Sequence, residues 1–239
     1  MQLLLVFFLL EPKTVLELPD NFTTFELWDK AIYLVQFNGK SIMRIDSAGG
    51  VVSIPVTFER NMRIYNFKMT PFSIYLHTAT GIQRFFLNSG NSESIYKDDV
   101  VSFVLTNTED VVLVNRLKNE LIFLDPQNKV RLRKNNVNAI DMDYHDNKIY
   151  VLTRKEVLVI DDYGNTIETI KIPEKMSRIV VSEDIFLFSP QSNTIYKKDM
   201  EWKRIELRHS IMELKVSGKN IFVLDQYGSY LYMYDVSDF

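Results

Sequence analysis

The stretch that decides the fold lies near the end of the chain, where residues 220–235 read NIFVLDQYGSYLYMYD. Two runs of β-branched and aromatic residues flank a short polar segment, and the second run ends at Asp235. Residues of these types are favoured in strands, whereas Gly228 and its polar neighbours are typical of a turn. Residues 220–235 are therefore predicted to form a β-hairpin.

The first run of this hairpin has five earlier counterparts in the chain. The six four-residue runs begin at Ile32, Ile74, Val111, Ile149, Ile185 and Ile221. Their spacing is 36 to 42 residues, and a second strand-like run follows each of them within six to nine residues. A repeat of about 40 residues that is built from short strands indicates one blade of a β-propeller.

Four strands are predicted in each repeat, because a third and a fourth run of strand type precede the next copy. The last repeat ends without its outer strand, and residues 14–19 supply a spare one. We therefore predict an all-β fold, a six-bladed β-propeller with four-stranded antiparallel blades, in which the N-terminal strand closes the last blade. This closure leaves no unpaired edge where the chain ends meet. The propeller is predicted to be a single domain spanning residues 14–239.

Residues 1–13 are predicted to be a signal-like apolar segment that precedes the propeller. The run MQLLLVFFLL is too short to span a bilayer, which needs about 20 residues, but it suits the apolar part of a secretory signal. No Lys or Arg precedes it and no small-residue cleavage site follows it, so a retained apolar segment is the alternative. We expect an extracytoplasmic protein, periplasmic or secreted, without a membrane span.

Composition and motifs exclude several functional classes. The chain has no cysteine, which excludes disulfides, thiolate catalysis and cysteine-ligated metals. Its net charge of −3 argues against nucleic acid as the partner. The sequence contains no phosphate-binding loop and no local catalytic motif, and His77, His145 and His209 fall at unrelated points of their repeats. No catalytic residue, metal site or cofactor is predicted, and the oligomeric state and enzymatic activity stay open.

Aspartate follows the second run in five repeats, at Asp46, Asp125, Asp161, Asp199 and Asp235. These residues could serve as metal ligands or as turn residues. We interpret them as turn residues, because an aspartate carboxylate accepts a hydrogen bond from the backbone two residues on. Residues at the edges of separate blades would also not converge on one ion.

The repeated hairpin with its Asp-containing turn resembles the repeats of the NHL and YVTN-like group of six-bladed propellers. Residues 220–235 are the best copy, and residues 148–152 with 157–164 are similar. The resemblance covers about residues 14–239, although the chain has few glycines for this group. Members of the group serve as protein-binding modules, as extracellular sensors and in some cases as hydrolases or lyases. The resemblance thus implies the fold and leaves the function open.

The predicted loops differ in charge between the two faces of the ring. On one face, which carries the loops after the repeated run and the connections between blades, Lys and Arg outnumber Asp and Glu. Acidic residues predominate on the other face, and residues 131–136 are counted as a loop of the basic face. Arginine pairs with carboxylates and phosphates, so one interpretation is a face that binds an anion or an acidic protein. The other is a solvated surface on which the charges happen to segregate. The candidate binding residues are Arg116, Arg133, Lys134, Arg154, Lys175, Arg178, Arg208, His209 and Tyr227.

The leading functional hypothesis is a non-enzymatic binding module whose basic loop face holds an anionic or protein ligand. The alternative is a hydrolase, lactonase or lyase-like enzyme with a divalent cation in the central channel. Asp141, Asp143 and Glu213 lie on or beside channel-lining strands and would be its oxygen ligands. A scaffold that oligomerises edge to edge is a third reading.

Overall fold

The computed structural model describes residues 10–36, 41–46, 50–54 and 63–238. Within them the chain forms six four-stranded antiparallel sheets arranged in a ring, which confirms the predicted six-bladed propeller. Residues 1–9 of the predicted signal-like segment lie outside the described residues. The described helical structure is a short 3-10 turn, Val236–Asp238, so this part of the chain holds no helix that could cross a membrane.

The strands are numbered β1 to β24 in chain order, and each blade has an inner, a second, a third and an outer strand. The inner strands are β2 (Phe22–Trp28), β6 (Ile64–Met69), β10 (Val100–Leu105), β14 (Asp141–His145), β18 (Arg178–Val181) and β22 (Ile211–Ser217). The second strands are β3 (Ala31–Gln36), β7 (Ser73–Thr78), β11 (Val111–Asn115), β15 (Lys148–Leu152), β19 (Ile185–Phe188) and β23 (Asn220–Asp225). The third strands are β4 (Ile42–Ile45), β8 (Gly81–Phe86), β12 (Glu120–Leu124), β16 (Glu156–Asp161), β20 (Thr194–Lys198) and β24 (Tyr230–Asp235). The outer strands are β5 (Val51–Ile54), β9 (Ser92–Tyr96), β13 (Val130–Asn135), β17 (Thr166–Lys171), β21 (Trp202–Glu206) and, in the last blade, β1 (Thr14–Glu17).

The second strands are the most buried part of the blades. Every residue of β11 and β19 is buried, whereas most residues of the outer strands β5 and β17 are exposed. One apolar cluster joins β11 to Tyr75 of the preceding blade and to Ile149 of the following one. A strand covered on both sides needs apolar side chains at consecutive positions, without alternation. This is why the apolar four-residue run is the clearest repeat in the sequence.

The aspartates that end the third strands form the turns predicted for them. Asp125 Oδ1 accepts hydrogen bonds from the backbone amides of Gln127 (3.0 Å) and Lys129 (2.8 Å). Asp161 Oδ1 accepts from the backbone of Asn165 in the same way, at 2.7 Å. The interpretation of these aspartates as turn residues is confirmed.

The ring closes where the two ends of the chain meet. β1 pairs antiparallel with β24, with Thr14 opposite Met233 and Glu17 opposite Tyr230. The outer strand of the last blade therefore comes from the other end of the sequence, as predicted. Backbone hydrogen bonds thus hold the first and the last parts of the chain in one sheet.

Contacts with the propeller begin upstream of β1. Leu10 forms a parallel bridge with Leu207 and packs against the apolar cluster of blades five and six. Glu11 pairs with Arg208. The chain therefore contacts the ring before residue 14, where the sequence predicted the propeller to begin.

The outer strand of blade three corrects one predicted boundary. β13 extends to Asn135, which pairs with Glu120, so most of residues 131–136 are strand and their assignment as a loop is wrong. The loop was predicted because this stretch is rich in charged residues. An outer strand has solvent along its free edge, so it accommodates charged side chains that a central strand would not.

Gly228 marks the point where the last blade touches the first. Its carbonyl accepts a hydrogen bond from the backbone amide of Phe22 at 2.9 Å, and its φ is 70°. A Cβ atom at this position would lie 1.9 Å from the Phe22 carbonyl oxygen. Gly218 also has a positive φ, 55°, but open space surrounds its Cβ position.

Gly228→Ala is therefore expected to cost more stability than Gly218→Ala. The Gly218 variant should lose about 1 kcal/mol, from the left-handed backbone alone. The Gly228 variant should lose about 3 kcal/mol or more, because the junction between the blades must shift. Urea-induced unfolding followed by circular dichroism measures both losses. Equal losses would contradict the close approach of blades six and one.

Candidate functional site

The loops of the ring lie on two faces, which blade three illustrates. The loop from β11 to β12 and the connection from β13 to β14 lie at one end of the strands, here called the first face. The turns from β10 to β11 and from β12 to β13 lie at the other end, the second face. The first face corresponds to the one that the sequence predicted to be basic.

A cavity of about 1120 Å³ opens on the first face. Tyr65 and His77 of blade two, Arg116 of blade three, Arg154 of blade four and Pro190 of blade five contribute to its wall. The inner strands β6 and β10 contact each other less than the other neighbouring inner strands do. Residues of both strands line the cavity, which therefore extends into the wider seam between blades two and three.

Three of the nine predicted binding residues line this cavity, namely Arg116, Arg154 and Arg178. Arg116 follows β11, Arg154 follows β15 and Arg178 is the first residue of β18. Because all three positions lie at the first-face ends of their strands, the ring brings together cations that are far apart in sequence.

Three other predicted residues belong to the outer part of blades three and four. Arg133 is in β13, where its Nη1 lies 2.8 Å from Glu120 Oε2. Lys134, in the same strand, donates from Nζ to the Gly164 carbonyl of a second-face turn at 3.1 Å. Lys175 is exposed in the connection between β17 and β18. These three residues do not line the cavity.

The remaining three predicted residues lie around blade six. Arg208 pairs with Glu11, and His209 stacks on Tyr232 with the ring centroids 4.1 Å apart. Tyr227 is 70% exposed, which agrees with its expected place in a turn. These residues form a separate part of the first face, outside the cavity wall.

Asparagines form a part of the cavity wall that the sequence analysis missed. Asn119, Asn136 and Asn138 line the cavity, and all three have positive φ angles. Asn138 donates from its backbone amide to Asn119 Oδ1 at 2.7 Å, and Asn119 Nδ2 donates back to Asn138 Oδ1 at 3.0 Å. Asparagine tolerates the left-handed region better than most residues. The sequence NNVN at residues 135–138 was the available signal for this tightly bent connection.

Arg178 is held at the cavity floor by a buried carboxylate. Its Nη1 lies 3.8 Å from Asp141 Oδ1, and the charge of Asp141 raises the pKa of Arg178. Asp141 is itself fixed, because it accepts hydrogen bonds from Ser102 Oγ at 2.7 Å and from the Ile179 backbone amide at 3.1 Å. The guanidinium is therefore positioned before any ligand arrives.

The other cations of the cavity wall differ in whether a carboxylate neutralises their charge. Arg116 Nε lies 3.2 Å from Asp99 Oδ2, and both side chains are exposed. Arg154 and Lys155 are exposed and make no ion pair with any residue of the described ranges. Glu156 is the nearest acidic residue in sequence and also lines the cavity. The uncompensated positive charge is thus concentrated at the loop after β15.

His77, in the cavity wall, joins blades two and three. Its Nε2 lies 3.0 Å from the Val100 carbonyl oxygen, and its ring makes edge contacts with Tyr65 and Phe103. Burial lowers the pKa of His77 to about 4, so the ring is neutral at physiological pH. Nε2 then donates to the carbonyl, and Nδ1 is left as an acceptor. His77 therefore stabilises the seam and adds no positive charge to the cavity.

The central channel contains a chain of ion pairs. Lys68 Nζ lies 3.0 Å from Glu26 Oε2 and 3.9 Å from Asp143 Oδ1, and Lys215 Nζ lies 3.9 Å from Glu26 Oε2. These residues come from the inner strands of blades one, two, four and six. Two of these pairs join neighbouring blades, and the pair between Lys68 and Asp143 reaches across the channel from blade two to blade four.

The channel carboxylates also satisfy backbone amides on the free edges of inner strands. Asp141 Oδ2 accepts from Ile179, and Asp143 Oδ2 accepts from Val181 at 2.8 Å. Glu213 accepts a hydrogen bond from the amide of the next residue. A buried amide without a partner is costly, so these bonds give all three candidate metal ligands a structural role.

The lysines hold the channel carboxylates in their charged form. Burial acts to raise the pKa of Glu26, but Lys68 and Lys215 outweigh it and hold that pKa below its ordinary value. Burial acts to lower the pKa of Lys68, but the charges of Glu26 and Asp143 raise it above its ordinary value. Ammonium groups thus occupy the space between carboxylates that a channel cation would need. The described residues include no group of three or more His, Asp or Glu arranged to hold a metal ion.

Comparison with known proteins supports the fold. No protein-family profile and no curated protein sequence matches the chain. A streptogramin B lyase structure is similar, with a TM-score of 0.65 and 12% identity over 93% of this chain and 87% of that one. YCF48 bound to D1 peptide has a TM-score of 0.66 and 12% identity, covering 95% of this chain and 96% of that one.

A third similar structure is PorZ, a bacterial surface component of the type-IX secretion system of Porphyromonas gingivalis. Its TM-score is 0.61, with 12% identity over 90% of this chain and 31% of that one. At these identities the likeness concerns the propeller fold alone. One fold serves several functions, so the site itself must carry the functional conclusion.

Lys68→Met tests the channel network through its dependence on pH. At about pH 8 the variant should lose about 3 to 5 kcal/mol of unfolding free energy, because Glu26 and Asp143 lose a buried partner. Without the Lys68 ammonium, only Lys215 opposes the effect of burial, so the pKa of Glu26 should rise and the loss should shrink as the pH falls to about 5. In the wild type the lowered pKa of Glu26 keeps this carboxylate charged over the same range.

Lys203→Met is the matched control, because Lys203 pairs with Asp199 on the exposed surface. Its loss should be much smaller than that of Lys68→Met and independent of pH in this range, because solvent screens an exposed pair. Urea unfolding at the two pH values provides the comparison. A pH-independent loss at Lys68, or one as small as the control, would show that the channel pairs do not stabilise the ring.

Proposed function

We propose that this propeller is a non-enzymatic binding module whose first face holds an anionic ligand, free or carried by a protein. The observation that carries the proposal is the first-face cavity with Arg154 and Lys155, which lack a counter-charge among the described residues. Two uncompensated cations on a concave surface raise the local positive potential, which attracts anions and orients their approach. Arginine also offers two parallel hydrogen bonds to a carboxylate or a phosphate.

The two arginines that are paired with carboxylates also support an anion-binding first face. Asp99 holds Arg116 and Asp141 holds Arg178, each through an ion pair. A side chain that is fixed before binding loses less conformational entropy when the ligand arrives. The cavity thus combines two arginines that have a carboxylate partner with two cations that have none among the described residues.

A channel enzyme with a divalent cation is less well supported. Such a hydrolase, lactonase or lyase-like enzyme would need carboxylates that are free to bind the cation, whereas Glu26 and Asp143 are paired with Lys68. The similar structures include a lyase and a protein bound to a peptide, so the fold does not choose between the two functions. The free cations are on the first face, and we place the ligand there.

We also propose that the chain belongs to the NHL and YVTN-like group of propellers. The support is the hairpin repeat at a spacing of 36 to 42 residues and the aspartate turn that follows its second strand. This grouping adds no residue to the proposed site.

Polyanion binding tests the proposed function. Fluorescently labelled polyglutamate and inorganic polyphosphate are titrated with the protein at about 50 mM and about 300 mM NaCl. We expect at least one of them to bind, with weaker affinity at the higher salt. The double variant Arg154→Ala/Lys155→Ala should weaken that binding about tenfold or more, since it removes the free cations.

The double variant Lys203→Ala/Arg204→Ala is the control, because it removes the same charge from the exposed outer strand β21. Its affinity should stay within about twofold of the wild type. The proposal fails if neither polyanion binds in a salt-dependent manner, or if both double variants lose affinity equally.

We further propose that the chain acts outside the cytoplasm, on the basis of the apolar run at residues 1–10. The chain, expressed with a C-terminal tag, should be exported with Leu10 and Glu11 retained, because both residues contact the propeller. N-terminal sequencing of the exported protein checks this, and Leu4→Lys/Leu5→Lys should abolish export. An uncut chain confined to the cytoplasm would overturn the proposal.

A further inference from the structure

The first-face cavity is larger and longer than a site for a small anion. Its volume of about 1120 Å³ exceeds the usual upper range of small-molecule pockets, which is about 1000 Å³. Its wall runs from Tyr65 in blade two to Pro190 in blade five. Such a shape fits an elongated ligand that crosses several blades, and an extended polypeptide is one, since it advances about 3.3 Å per residue.

The charges of the wall are mixed. Arg116, Arg154 and Lys155 line the cavity together with Asp99 and Glu156. A polyphosphate or a nucleic-acid strand carries a negative charge on every unit and would meet these carboxylates. A peptide can place an acidic side chain opposite Arg154 and neutral residues beside the carboxylates. The charge pattern therefore favours an acidic peptide over a uniform polyanion.

The neutral part of the wall also matches a polypeptide. Asn66 accepts from the Phe67 amide through Oδ1, which leaves its Nδ2 as a donor, and the Asn136 side chain makes no hydrogen bond within the described residues. Side-chain amides both donate and accept, as a peptide backbone does at each residue. Val101 and Leu158 add apolar surface to the same cavity.

We infer that the ligand is an acidic segment of a partner protein that binds in an extended conformation along the first-face cavity, with one of its carboxylates at Arg154 and Lys155. This inference rests on the proposed function and narrows it. Phosphate chains and nucleic acids share the negative charge, but they do not match the mixed charge and amide groups of the wall.

A peptide array provides the test. Decapeptides that mix Asp and Glu with apolar residues in varied order are compared with counterparts in which Asn and Gln replace every acid. The full-length protein should bind members of the acidic set and not their amide counterparts. The best peptides, labelled and measured in solution, should bind more tightly than inorganic polyphosphate of equal charge. Shortening them to four residues should weaken binding, because the cavity spans four blades.

Variants then locate the bound peptide. Arg154→Ala should weaken peptide binding about tenfold, since it removes a charge-assisted pair, whereas Arg204→Ala on the outer strand should leave it unchanged. Preferential binding of polyphosphate, or equal binding of the amide counterparts, would overturn the peptide inference. The proposed anion binding would survive the first of these results. If neither the peptides nor the polyanions bind, both proposals fall.

Discussion

The pairing of β1 with β24 is the constraint on which the rest of the structure depends. Each blade has apolar side chains on both sheet faces, so it is stable only when neighbours cover both of them. A ring supplies such neighbours to every blade, but only if the last blade is complete and touches the first. The four-residue strand β1 and the close contact at Gly228 provide that completion. The two faces and their loops acquire fixed positions only as a consequence.

Closure also explains why the charges of the channel are paired more completely than those of the first face. It brings six inner strands together, and their free edges would expose unpaired amides and like charges. The chain compensates with carboxylates that accept from these amides and lysines that neutralise the carboxylates, as at Asp143 and Lys68. The described charges of the channel are thereby paired with one another. On the first face the charges are only partly compensated, because Arg154 makes no ion pair with any described residue.

The sequence predicted the parts of the structure that depend on local pattern. The buried second strands carry continuous apolar runs, and β19 (Ile185–Phe188) has the bounds of the four-residue run that begins at Ile185. β13 was misread because charges in an outer strand resemble those of a loop. The cavity could be predicted only in part, since it joins residues of four blades. Which arginines face it, and which of them are neutralised by carboxylates such as Asp141, follows from the packing of the ring.

We propose that the ligand is bound on the first face and not in the channel. A crystal structure of the full chain with a bound acidic peptide tests it most directly. We expect peptide density along the first-face cavity, with a carboxylate within hydrogen-bonding distance of Arg154 and the Lys68 ion pairs unchanged. Density in the channel in place of those ion pairs, or on the second face, would contradict it.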